Sequence, residues 1–297
     1  MVIVTLGGGL GNQLFQYSIG RLLAIKNKTT LKLYISNFKY ENNRCYKLNC
    51  FDIKEVFATE EEVEKLIHIY YSNSLYARIY KKIHQNKPKH KRNYFIEKDY
   101  YLYEPELMKI SSDVLLEGFW QHYKYYENFP PQILQELTLK EEFKPTSINN
   151  IINNIEQENS SVSIHIRRGD YVSDSNNLNF FGTLPMQYYY DAVNYINKNI
   201  QTPKFYIFSD DLNWVKDNFK INAPITFVDI EGGTKDYLEL DAMSKCRHNI
   251  IANSSFSWWG AFLNKNTDKI IIAPKSWVVR EDINKDIQIQ FPEWIKL

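Results

Sequence analysis

"SVSIHIRRGDYV", residues 161–172, alternates like a half-buried strand and then ends in a histidine, two arginines and an aspartate. By the two-residue period of a strand, Val162, Ile164 and Ile166 share one face, while Ser163, His165 and Arg167 share the other. Arg168 points away from Arg167, and Gly169 permits a sharp exit. The strand is expected to deliver one arginine, together with His165, to its C-terminal tip.

Outward from this stretch the rhythm is regular. The runs "KFYIFS", "ITFVDI", "HNIIA" and "KIIIA" alternate with helical or turn segments such as "MQYYYDAVNYINKNI". That alternation predicts a doubly wound parallel sheet. Nearer the start, "VIVTL" reads as a strand, followed by Gly7, Gly8, Gly9 and Gly11, an apolar-faced helix, and the strand "LKLYIS". The chain therefore opens as a βαβ unit. Thr59 to Glu62 reads as a capping box ahead of a helix through about Tyr70. "SDVLLEGFWQ" returns to strand character, and Ile148, Ile151, Ile152 and Ile155 fall at helical spacing in a segment expected to join two halves. Two α/β domains facing a cleft follow, at 1–158 and 159–297, with a last helix that is a candidate to pack back on the first domain.

The composition bounds what such a chain does. With 297 residues, 44% apolar and 24% charged, it has material for two ordinary cores. A formal net charge of +1 argues against nucleic acid as the main partner. The 22 tyrosines suit carbohydrate stacking and equally suit a tyrosine-rich core. Cys45, Cys50 and Cys246 form no C-x-x-C pair, so neither a disulfide framework nor a zinc site is expected. No window reaches the roughly 18 apolar residues of a spanning helix, and the start lacks a basic segment of the signal-peptide kind. A cytoplasmic protein is expected. The stretch 78–92, rich in lysine and arginine and free of acid, reads first as a solvated loop and second as a point of peripheral membrane or acceptor contact.

Three polar clusters fall where ligands bind in such a sheet, beyond the carboxyl ends of the strands. His165, Arg167, Arg168 and Asp170 close one strand; Ser209, Asp210 and Asp211 close the next; Asn253, Ser254 and Ser255 stand between "NIIA" and the helix "SFSWWGAFLN". A serine or asparagine at a helix start caps it, and the N–H groups beside it attract an anion. An arginine at a neighbouring tip adds a two-pronged grip on the same oxyanion. Together these make a receptacle for a diphosphate. The plainer reading is that Ser254 only caps and Arg167 only pairs with Asp170 or Asp210.

The glycine run near the start does not complete G-x-G-x-x-G, since Leu14 stands where the third glycine belongs, and residues 1–40 contain no Asp or Glu. Walker A is also absent. The loop is expected instead to bring backbone, Asn12 and Gln13 close to a ligand. "RGD" at a strand end is read as incidental. His68, His84, His90, His122 and His248 lack metal-ligand spacing, and Asp229-Ile230-Glu231 only approximates an Asp-x-Asp metal motif.

With these residues in view, the chain resembles the bacterial α-1,2-fucosyltransferases of glycosyltransferase family 11. The resemblance lies in "GGLGNQLFQY" at 8–17, "HIRRGDY" at 165–171, "FSDD" at 208–211 and "NSSFSWWGA" at 253–261, with milder echoes in "GFWQ" at 118–121 and "APKSW" at 273–277. It spans essentially the whole chain. One departure is Glu239, in a slot where the family usually carries Asp; Asp236 and Asp241 are the alternatives for its role.

The resemblance implies a GT-B arrangement, with an acceptor-side N-terminal domain and a C-terminal domain that holds GDP-β-L-fucose without a metal or other cofactor. Arg167 would contact the pyrophosphate, supported by Arg168, while Ser254, Ser255 and Phe256 would donate to phosphate. His165 and the Asp210 region, with Ser209, would lie near the nucleoside; Glu239 and Asn253 would complete the donor site, and Asn12 and Gln13 would reach the donor from the N-terminal loop. The implied reaction is inverting transfer of fucose to the 2-hydroxyl of a terminal β-galactoside such as lactose or N-acetyllactosamine, in surface-glycan (O-antigen) synthesis. Asp170 is a candidate base and, equally, a carboxylate that orients Arg167; a reaction without a dedicated base is the third option. The rivals are another linkage or acceptor, a sugar-binding module without catalysis, and hydrolysis of a nucleotide sugar.

Overall fold

The computed structural model describes the chain apart from residues 41–43, 73, 76–77, 79–80, 83–85, 99–100 and 231–234, and the side chains of 69, 71 and 147. It divides into two compact units, Met1–Thr138 and Leu139–Leu297.

The first unit holds β1 (Val2–Thr5), α1 (Leu10–Lys26), β2 (Leu31–Tyr34), α2 (Glu60–Tyr71), β3 (Tyr94–Ile96), β4 (Val114–Glu117) and α3 (Pro131–Glu136). Its sheet runs β2-β1-β4-β3, every pairing parallel. Strand β1 is apolar and fully buried, as a central strand with both faces covered must be. The capping box forms as expected: the Glu62 amide donates to Thr59 Oγ1 (3.2 Å), and the Thr59 amide donates to Glu62 Oε2 (3.1 Å). Helix α3 is tied to α1 by Arg21, whose Nε and Nη2 grip Glu136 at 2.8 and 2.7 Å.

The second unit begins with α4 (Thr146–Gln157) and continues through β5 (Ser161–Ile166), α5 (Gly169–Ser173), α6 (Ser175–Phe180), α7 (Met186–Asn199), β6 (Lys204–Ser209) and α8 (Leu212–Asn218). Then come β7 (Ile225–Phe227), α9 (Asp236–Lys245), β8 (His248–Ile250), α10 (Ser255–Phe262), β9 (Ile271–Ala273), α11 (Glu281–Asn284) and β10 (Ile295–Lys296). The six strands lie in the order β10-β9-β8-β5-β6-β7, all parallel. Counted from β5, that is the 3-2-1-4-5-6 order of a dinucleotide-type sheet, with its switch point between β5 and β8.

Three expectations change here. The boundary falls at 138/139 rather than 158/159, because α4 buries Ile148 and Ile155 within the second unit. There the Tyr206 hydroxyl donates to the Asn154 carbonyl at 3.2 Å. The chain closes as edge strand β10, paired with β9 through Ile295↔Ile272, and not as a helix. Finally, β5 is buried on both faces. Val162, Ile164 and Ile166 pack with Tyr188, Val193, Phe205 and Ile207. The polar face is enclosed too, and its hydroxyls are bonded: Asn249 Nδ2 donates to Ser163 Oγ at 2.7 Å, and the Arg247 amide to Ser161 Oγ at 3.1 Å. A strand with helices on both sides has no solvent face, so alternation there marks a polar lining.

Among the described residues no helix is long and apolar enough to cross a membrane. Cys45, Cys50 and Cys246 are free thiols.

Candidate active site

At the β5 tip the backbone turns sharply, and Arg167 and Arg168 part as their spacing requires. Arg167 Nη2 donates to Asp170 Oδ1 (2.5 Å), and its Nη1 pairs with Asp210 Oδ2 (2.8 Å). The guanidinium carbon lies 5.4 Å from the Tyr171 ring centre. Its Nε is buried without a hydrogen-bond partner. Burial pulls the guanidinium pKa down, but the charges of Asp210 and Asp170 overcome that and hold it above its ordinary value. The result is a permanent cation in fixed orientation with one buried donor unanswered.

Both ion pairs of the plainer reading are therefore present, and they serve as a clamp. Of the roles open to Asp170, the geometry is that of orienting Arg167. Asp210 does double duty, since its Oδ1 accepts the Arg168 amide at 2.8 Å. This draws the β5 and β6 tips so close that a Cβ on Gly169 would stand 2.4 Å from Asp210 Oδ2. A side chain there would force the Asp210 carboxylate to move.

Arg168 faces elsewhere. Its guanidinium stacks 3.4 Å above the Trp214 ring, and Nε reaches Asp211 Oδ2 at 3.2 Å. Asp211 also caps α8 by accepting the Trp214 amide (3.3 Å), while its own amide donates to Ser209 Oγ (3.0 Å). Ser209 and Arg168 thus hold the loop frame around the cation.

The β8–α10 loop comes to the same place. His165 is only 2% exposed, and its ring lies 5.4 Å from that of Phe256 in the first turn of α10. The Tyr171 hydroxyl donates to the Asn253 carbonyl at 3.0 Å, and its ring stacks on Phe181 at 4.9 Å. Asn253 Nδ2 donates to the carbonyls of Phe181 (3.0 Å) and Trp277 (3.1 Å), leaving a buried Oδ1 with no partner. Ser254 occupies the N-cap position in extended conformation, yet its side chain makes no capping bond, contrary to expectation. Ser257 Oγ instead bonds the Ser254 carbonyl at 3.2 Å. The Ser254 hydroxyl is thus not committed to the helix, and Ser255 and Phe256 follow it half-buried in a turn whose amides lack intrahelical acceptors.

Burial, reinforced by the Arg167 charge, lowers the His165 pKa to about 3, so the ring is neutral near neutrality. As pH falls below the ordinary histidine value of 6.5, the unfolded chain takes up a proton that the native ring refuses. The stability tied to neutral His165 is complete above that value and is lost progressively on acidification towards about 3. His165→Gln should therefore show a smaller fall in Tm than the parent between about pH 7 and about pH 4.5. Equal falls in the two proteins would contradict a buried neutral ring.

Glu239 is buried on α9, and burial, with the charges of Asp236, Asp210 and Asp229, raises its carboxyl to about 8. Near neutrality it carries a proton to donate. It feels the charge of Asp210 in the tip cluster. Asp241, offered as its substitute, feels Lys245, Lys144, Glu156 and Glu141 instead.

Asn12 and Gln13 lie in the first unit. Asn12 Oδ1 accepts from Gln121 Nε2 at 2.8 Å. Gln13 is fully buried, with Nε2 donating to the Gly8 (3.0 Å) and Cys45 (2.9 Å) carbonyls and Oε1 accepting the Lys47 amide (2.9 Å). Its side-chain amide pins the 45–47 loop. Among the described residues no group of three or more His, Cys, Asp or Glu is placed to hold a metal. Glu231 and His84 lie outside the described residues. Two contributors were missed in the sequence: Tyr171, which joins two clusters 82 residues apart, and Trp214, the platform under Arg168. Trp214 stands three residues after the α8 cap, and that spacing was a usable signal.

The sequence profile described as Glycosyl transferase family 11 matches residues 1–297. An α-1,2-colitosyltransferase of Escherichia coli is 33% identical over 96% of this chain and 94% of its own length. The O-antigen biosynthesis glycosyltransferase WbnK, also of Escherichia coli, is 30% identical over 98% of this chain and 99% of its own. Among solved structures, NodZ α-1,6-fucosyltransferase co-crystallized with GDP aligns with a TM-score of 0.50 at 12% identity, over 87% of this chain and 91% of its own. At that identity the likeness speaks for the fold, which is GT-B-like with two Rossmann-like units.

Proposed function

We propose, from the premise that the chain belongs to glycosyltransferase family 11, that it transfers L-fucose from GDP-β-L-fucose to the 2-hydroxyl of a terminal β-galactoside, with inversion and without a metal ion. The observation that carries this reading is Arg167, clamped by Asp170 and Asp210 with a buried Nε unanswered. In the reaction the acceptor oxygen bonds to the anomeric carbon as the bond to the β-phosphate oxygen breaks, and the hydroxyl proton is released. Negative charge grows on the departing diphosphate. Arg167 and the first turn of α10 would stabilise it as preorganised donors. Glu239, protonated near neutrality, would donate to the nucleotide rather than repel it.

A second donor is favoured by one observation, the 33% identity to a colitosyltransferase. Colitose is the 3-deoxy counterpart of L-fucose, and the diphosphate grip serves either sugar. The test supplies GDP-fucose and GDP-colitose in turn, with lactose, N-acetyllactosamine or no acceptor, in EDTA, followed by linkage analysis. An α-1,2-fucosylated product in EDTA is the expected result. Preference for GDP-colitose would install the second reading, and release of free fucose with no transfer would indicate a hydrolase. Failure of GDP to bind in calorimetry would remove the site altogether, and a strict need for Mg²⁺ or Mn²⁺ would remove the metal-free step.

A further inference from the structure

We propose that the β3 edge of the first unit is a docking surface for an anionic phospholipid membrane, with one headgroup seated in the cavity beside that strand and the exposed lysines around it lying on lipid phosphates. In the order β2-β1-β4-β3, β3 is the outermost strand, and among the described residues no further strand covers its far side. Beside it opens a cavity of about 340 Å³. Tyr70, Tyr94 and Ile96 give this cavity an apolar wall, Lys89, Arg92 and Lys98 give it cations, and none of its described lining residues is acidic. The wall is held in place: the Tyr70 and Tyr94 rings meet edge to face at 5.3 Å, the Tyr70 hydroxyl donates to Asn93 Oδ1 at 3.3 Å, and the Tyr94 hydroxyl donates to Glu117. Ile96 is 46% exposed. Tyrosine rings and an exposed aliphatic side chain among lysines suit the boundary between headgroups and acyl chains.

The charge distribution selects the partner. Residues 78–98 hold eight of the chain's 36 Lys and Arg against one acid, Glu97, which is buried. The rest of the chain is net acidic, so the total of +1 conceals a marked asymmetry. Some of these cations are answered locally: Lys89 pairs with Glu104 at 2.7 Å, and His90 with Glu106. Arg92 donates to the Lys87 carbonyl through Nε (3.1 Å) and Nη2 (3.0 Å), which draws Lys87 to the cavity rim. Lys87, Lys91 and Lys98 are exposed, and their side chains join no ion pair among the described residues. Like charges gathered at one edge repel one another, and an anionic surface relieves that repulsion. A long polyanion such as nucleic acid would also meet the net acidic remainder of the chain, whereas a membrane meets one face only. The β3 edge, three residues long, offers too short a ladder for strand addition by an acidic peptide.

The docking is independent of the transfer chemistry and is measured without turnover. The full chain is co-sedimented with vesicles of phosphatidylcholine alone and of phosphatidylcholine with about one-third phosphatidylglycerol. Binding is expected to the anionic vesicles only. It should be lost as NaCl rises from about 0.1 M to about 1 M, where the screening length falls from roughly 10 Å to roughly 3 Å. Replacing the three unpaired lysines together, Lys87→Gln, Lys91→Gln and Lys98→Gln, should weaken vesicle binding at least about tenfold, while the corresponding triple change to Arg should preserve it. Parental binding by the Gln variant, equal binding to neutral vesicles, or no binding by the parent overturns the proposal. Displacement by millimolar inorganic phosphate at constant ionic strength would assign the cavity to a small anion. Capture of polyglutamate in preference to the anionic vesicles would assign the surface to an acidic protein. Either result also overturns the membrane reading.

Discussion

Arg167→Lys is expected to lower kcat/KM by roughly 10²–10³ or more while leaving the fold intact, the size of effect seen when one preorganised charge-stabilising donor is removed. Lysine keeps the charge and loses the fork. Its ammonium can follow one of Asp170 and Asp210 but has no planar edge to satisfy both at 2.5 and 2.8 Å. It also has no counterpart to the buried Nε. Stability should change little, because Asp210 keeps its bond from the Arg168 amide and Arg168 keeps its Trp214 platform. Steady-state kinetics with GDP calorimetry and circular dichroism measure each part. Parental turnover in a folded variant would remove Arg167 from the chemistry.

Gly118→Ala is expected to destabilise the first unit by about 3 kcal/mol or more, from overpacking added to backbone strain. A Cβ at this position would lie 2.4 Å from Glu97 Cβ, 2.8 Å from Glu97 Oε2 and 3.0 Å from the Trp120 ring. None of these can retreat cheaply. Trp120 is fully buried, and Glu97 is anchored at the end of β3 by amides from the very loop that would be disturbed. Gly118 has φ +158° and Trp120 φ +58°, so two of three consecutive residues already hold unusual backbone. Urea unfolding followed by tryptophan fluorescence reads the loss. An unshifted midpoint would mean that the loop can be rebuilt around a methyl group.

Much of this was legible because strand tips advertise themselves. The β5 alternation ending in His165-Ile166-Arg167-Arg168 located both the sheet and the edge where its polar groups gather, and the Asp210 and Ser254 clusters fell at neighbouring tips. What the residues did not reveal was the direction in which each polar group is satisfied. Asn12 and Gln13 look equally suited to a ligand, yet Gln13 binds three backbone groups, two of them more than 30 residues away. Ser254 looks like a helix cap and its side chain makes no capping bond. Glu97 carries no motif, because the amides that give it meaning lie 22 and 23 residues ahead on another strand's exit. The displaced domain boundary has a similar cause, since the isoleucine stripe of α4 states that the helix is half-buried and not which core receives it.

The close approach of Gly169 to Asp210 has a bearing on how such enzymes diversify. The absence of a side chain at one position, the carboxylate at the second and the guanidinium at Arg167 form a single interlocked part. In a lineage the three would drift together or stay still, and a swap of one strand-tip loop between relatives would work only if the neighbouring tip travelled with it. Variation that changes sugar preference is free to accumulate wherever this interlock does not reach.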